Sequence, residues 1–79
     1  MIVEIKGINA WRQYENWQDN VEKQVSKILN QDVKFEQIEI VDEYIYKHID
    51  DYCKRCTVRV SNVDLSKLSE SAYRRYVKE

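Results

Sequence analysis

Proline is absent from this chain, glycine occurs once (Gly7), histidine once (His48), and cysteine twice, as Cys53-Lys54-Arg55-Cys56. A single glycine leaves no glycine-rich loop to cradle a phosphate or to build an oxyanion site, and no serine nucleophile at a sharp turn accompanies the histidine. Metal or redox chemistry is confined to the segment from His48 to Cys56, and the rest of the chain reads as packing or recognition. No apolar run approaches the ~18 residues that cross a bilayer. The first apolar run, Met1 to Lys6, is interrupted by Glu4 and offers no cleavage site, so it reads as a strand rather than a signal peptide. A cytoplasmic protein with reduced thiols is expected.

With 79 residues, 43% of them hydrophobic and 34% charged, the composition is that of one globular domain spanning residues 1–79. The net charge of −1 lacks the general electrostatic grip on phosphates that most nucleic-acid binders use. Residues 1–50 carry six basic and ten acidic side chains, residues 51–79 seven basic and four acidic. That asymmetry predicts an acidic end and a basic end, able to orient a partner or to pair two copies as a homodimer. The abundance of Ile, Lys, Asn, Tyr and Glu is what an AT-rich coding sequence produces, which points to a phage or mobile element as the source.

Ile2, Val3 and Ile5 predict a strand that Gly7 ends. Asn9 then caps a helix in which Ala10, Trp11, Tyr14, Trp17, Val21, Val25, Ile28 and Leu29 form one apolar stripe, within an arc of about 120°. Asn30-Gln31-Asp32 is the expected stop. Residues 33–49 are rich in β-branched and aromatic side chains, which favours strands; the competing helical stripe (Ile38, Val41, Ile45, Ile49) leaves Ile40, Tyr44 and Tyr46 off its buried face. On the strand reading Asp42-Glu43 and Asp50-Asp51 are turns. Cys56, Val58 and Val60 alternate with polar residues, which predicts a strand over 54–61, and Asp64 caps a final helix carrying Leu65, Leu68, Ala72 and Tyr76. The expected fold is α+β: a small single domain of order β-α-β-β-(β)-α, an antiparallel sheet packed by two helices.

Cys53 and Cys56 have the spacing of zinc knuckles and thiol redox sites, and His48 offers a third ligand. Tetrahedral zinc needs a fourth, and only Asp50 or Asp51 is near. Residues in an extended segment at this spacing also point to opposite faces. The expectation is a structural Cys56 beside Val58, with no metal and no cofactor, and a semi-exposed aromatic role for His48. Two surfaces remain as recognition candidates. One is acidic and tyrosine-bearing: Glu36, Glu39, Asp42, Glu43, Tyr44, Tyr46, Asp50 and Asp51. The other is basic, with Lys54, Arg55 and Arg59 on the strand and Lys67, Arg74, Arg75 and Lys78 on the last helix.

These features predict a non-enzymatic interaction protein that occupies a surface of a larger protein partner. A phage- or mobile-element-encoded inhibitor of a host enzyme or defence nuclease fits the composition, its acidic face standing where phosphates would lie. The alternative is a nucleic-acid-binding module that uses the basic C-terminal third, with a zinc or redox protein built on Cys53 and Cys56 behind it.

Overall fold

A computed structural model describes residues 1–48 and 51–78, and within them all side chains but those of 45–48 and 51–53. The order is β1 (Ile2–Asn9), α1 (Trp17–Leu29), β2 (Ile38–His48), β3 (Asp51–Val60), α2 (Glu70–Tyr76) and β4 (Val77–Lys78). All strand pairings are antiparallel, and the strands lie side by side as β2-β3-β1-β4. This is the expected α+β domain, with its extra strand at the C-terminal end of the described chain.

One face of the sheet holds the core. Val3 and Ile5 of β1 stand opposite Val60 and Val58 of β3, Ile8 opposite Cys56, and Val21, Val25 and Leu29 of α1 close over them, all buried. Leu65, Leu68 and Tyr76 pack on the same cluster from the C-terminal segment. Val21, Val25 and Leu29 alternate with Lys23 and Lys27, and a strand would put all five on one side; only a helix turns the two lysines away from the three apolar residues, as observed. It stops where predicted, at Asn30, whose left-handed backbone (φ 54°) asparagine tolerates better than most residues.

Several expectations are corrected. Gly7 does not end β1: the strand runs on to Asn9, and Gly7 (φ 81°) lies in a bulge between Ile5 and Ile8, a backbone shape open to glycine at little cost. Asn9 caps no helix. Ala10 is tied to β3 by its N–H to the Lys54 carbonyl (3.0 Å), and the Trp11 N–H donates to Asn9 Oδ1 (3.1 Å). The chain therefore leaves the sheet in turns, and α1 starts only at Trp17. Asp42-Glu43 is strand, as is Asp51; with no glycine or asparagine to turn on, the β-branched residues around 42–43 keep the backbone extended. Asp50 lies outside the described residues. The predicted last helix is two pieces, a 3-10 turn at Leu65–Lys67 whose Asp64 cap accepts from the Ser66 N–H, and α2, whose Ser69 hydroxyl accepts from the Ala72 N–H.

A second bulge is the feature that arranges the surface. Ile38 and Ile40 stand opposite Val60 and Val58 and share their core face, but the register slips between Ile40 and Asp42, so that Asp42 pairs with Thr57 and Glu43 with Cys56. One extra residue, Val41, exchanges the faces of everything after it. Glu43 therefore lies on the helix side of the sheet, while Glu39, Asp42 and Tyr44 share the other side.

Candidate functional site

Three places gather polar or aromatic side chains. The first follows from the bulge. Glu43 accepts from Lys54 Nζ (2.8 Å) and is ion-paired to Arg12 from the turns before α1. The Lys54 hydrogen bond and the Arg12 charge hold its carboxyl below the usual carboxylate range against partial desolvation. Arg12 also lies over the Trp17 ring, 4.3 Å from its centroid, and Trp17 meets Phe35 edge-on at 5.5 Å. These contacts fasten residues 10–17 to the hairpin. Cys56, fully buried beside them, has its thiol pushed up by burial and then by the Glu43 charge, which disfavours the reactive thiolate.

The second place is a groove of about 340 Å³ between the start of α1 and β3. Trp11, Tyr14 and Trp17 supply its rings, and Lys23 and Arg55 its charges. Asn9, Asn20 and Gln24 complete the lining. Gln24 is clamped: its Oε1 accepts from the Asn9 N–H (2.9 Å), and its Nε2 donates to the carbonyls of Asn9 (2.8 Å) and Asn20 (3.1 Å). The sequence pattern assigned Trp11 and Tyr14 to a buried stripe and Lys23 to a solvated face. Tyr14 is instead 56% exposed, because residues 10–16 are turns rather than helix. The one hint was three aromatic residues crowded at 11, 14 and 17.

The third place is the sheet face opposite the core. Glu39, Asp42 and Tyr44 of β2 share it with Arg55, Thr57 and Arg59 of β3 and with Ile2 and Glu4 of β1. Arg59 pairs with Glu4 at 3.4 Å. No helix packs over Glu39, Asp42, Tyr44, Arg59 or Ile2, all exposed, while Thr57 at the centre is buried.

Neither predicted surface is one patch. In the acidic set only Glu39, Asp42 and Tyr44 come together; Glu43 is on the reverse side, Glu36 is in a 3-10 turn before β2, the side chains of Tyr46 and Asp51 lie outside the described residues, and so does Asp50 altogether. The basic set scatters too. Lys54 is paired to Glu43, Arg59 to Glu4 and Arg74 to Glu70, Lys67 sits in the other 3-10 turn, and Arg75 and Lys78 border a hollow with Glu4 and Lys6. The acidic and basic sequence halves likewise do not become two ends, because β3 is inserted between β2 and β1 and interleaves their charges.

The side chains of His48 and Cys53 lie outside the described residues. Among those described, no group of three or more His, Cys, Asp and Glu side chains is placed to hold a metal ion, and no helix is long and apolar enough to cross a membrane. Comparison with protein-family models, curated proteins and solved structures finds no match for this chain.

Proposed function

We propose that this chain is a small binding protein, without catalysis of its own, that covers part of the surface of a larger protein partner, using the sheet face opposite its core. The observation that carries this reading is the makeup of that face. Tyr44 (41% exposed) and Ile2 (42%) stand uncovered on it among Glu39, Asp42, Arg55 and Arg59, and Val41 (42%) is exposed at the adjoining bulge. Exposed aromatic and aliphatic groups set among arginines are the composition of contact surfaces. The free edge of β2 is a poorer candidate, since the bulge and the neighbouring charges are devices that discourage pairing with another strand. The mixed charge also favours recognition by shape and paired charges over imitation of phosphate.

Occlusion of a host enzyme or defence nuclease is the role to test first, on the expectation, from composition alone, of a phage or mobile-element source. The tagged protein is used to capture partners from its native host, with half the sample nuclease-treated, beside a variant carrying Glu39→Lys, Asp42→Lys and Tyr44→Ala. The expected result is a protein captured regardless of nuclease and lost with the variant, at an unchanged circular dichroism spectrum. Capture that the variant leaves intact, or that needs nucleic acid, overturns the reading.

A further inference from the structure

The groove between α1 and β3 is built for something other than a protein surface. We infer that it binds one nucleobase together with its phosphate, the base set among the rings of Trp11, Tyr14 and Trp17 and the phosphate held by Lys23 and Arg55. The inference does not rest on the sheet-face reading: the two share only Arg55, which stands where that face meets the groove, and the rings and Lys23 belong to the groove alone.

The lining combines two chemistries that single ligands seldom satisfy together. Its rings are apolar: Trp11 and Tyr14 stand tilted by 51° with centroids 6.3 Å apart, and the core does not use Tyr14, which is 56% exposed. No carboxylate lines the groove, and neither Lys23 nor Arg55 is in an ion pair among the described residues, whereas Arg12, Lys34, Lys54, Arg59 and Arg74 each are; Arg55 donates only to the Gly7 carbonyl (3.3 Å). An apolar ring alone would leave two charges unmatched. An acidic peptide would match the charges and leave the rings bare. A planar base joined to a phosphate meets both, as in single-strand binding sites that combine aromatic platforms with a cationic track.

The geometry limits the ligand further. At about 340 Å³ the groove lies at the small end of ligand pockets, which run from roughly 300 to 1,000 Å³, so it admits one nucleotide and no duplex. It is also held in shape. Gln24 is fixed by its three hydrogen bonds, and Trp17 is set between Arg12 and Phe35. The Asn20 side-chain amide makes no hydrogen bond among the described residues, which leaves it available to the edge of a stacked base.

Trp11 and Trp17 are the only tryptophans of the chain, and both line the groove, so tryptophan emission, excited at a wavelength the six tyrosines do not absorb, reports on this site. Thymidine monophosphate, thymidine, inorganic phosphate, a short oligothymidylate and polyglutamate are each titrated into the full chain. Saturable quenching by the mononucleotide, weaker with thymidine and absent with phosphate, is expected. Tyr14→Ala should weaken binding by about 5-fold or more, and Lys23→Ala should lower the log–log salt slope for the oligomer by about one. Ile2→Thr, on the sheet face and without change of charge, should change neither. A strand that binds more tightly per nucleotide than the free monophosphate identifies single-stranded nucleic acid as the source; equal affinity per nucleotide identifies a free nucleotide. No quenching at millimolar mononucleotide or oligomer, equal quenching by polyglutamate, or unchanged affinity in a folded Tyr14→Ala protein overturns the inference.

Discussion

Replacing Glu43 by glutamine removes one charge at nearly constant volume, and the structure gives both the size and the pH dependence of the effect. Glu43 serves two cations, Lys54 and Arg12, and the three side chains retain 26%, 38% and 42% of their exposure, so each pair belongs with partly exposed ion pairs worth about 0.2–1 kcal/mol. The two together predict a loss of about 0.5–2 kcal/mol at neutral pH, and each kcal/mol moves the Tm of a domain this size by about 4–8 °C. Because the folded carboxyl titrates below its unfolded value, the stabilisation is complete above the unfolded pKa and disappears as pH falls through the folded one. Urea unfolding of both proteins at about pH 7 and again at about pH 3 should show the gap at the first and its contraction at the second. Added salt at 1 M, where the Debye length is ~3 Å, should narrow the gap at neutral pH as well. A gap of the same size in acid, or none at neutral pH, would refute the placement of Glu43 on the helix side of the sheet.

Trp17→Ala should cost about 2–4 kcal/mol, less than the 3–5 of a fully buried aromatic, because Trp17 is only half-buried and part of its value lies in the Phe35 and Arg12 contacts; an unchanged urea midpoint would contradict this. In a Cys53→Ser background, the buried Cys56 thiol should react with a disulfide reagent only as fast as the protein opens, accelerating with denaturant, and rapid labelling in native buffer would show an accessible thiol.

What the sequence reveals of this fold is what periodicity controls. Val21, Val25 and Leu29 with Lys23 and Lys27 between them mark α1, and Cys56, Val58 and Val60 with Thr57 and Arg59 between them mark β3, because each apolar–polar pattern separates its two faces in only one backbone geometry. The misplaced start of α1 shows where periodicity misleads: Ala10, Trp11 and Tyr14 continue the helical spacing, yet the Lys54 carbonyl holds Ala10 on the sheet, a contact 44 positions away that no local pattern encodes. The bulge at Val41 is hidden for a related reason. It contains no glycine to mark it: a regular strand would put Glu43 on the face of Glu39 and Asp42 on the other, and a single extra residue exchanges the two. The aromatic groove is illegible for both reasons at once, requiring Trp11 and Tyr14 off the helix and Arg55 across from them. β4 is two residues long and hides in the tail of the helical pattern.

The position of β1 in the sheet bears on how the chain assembles. β1 precedes both of its neighbours in the chain: Val3 finds Val60 on one side and Val77 on the other, so this strand waits for most of the described residues before either neighbour exists. The β2–β3 hairpin is local and closes early, whereas the β1 pairings carry the entropy of a long loop and come late. Until then Ile2, Val3, Ile5 and Ile8 form an extended apolar segment with nothing to cover it, open to pairing with other nascent chains. Gly7, the least strand-like residue in that stretch, follows Lys6 and separates Ile8 from Ile5, and the bulge that re-aims Ile8 in the finished sheet also interrupts a stretch suited to pair wrongly before the sheet exists.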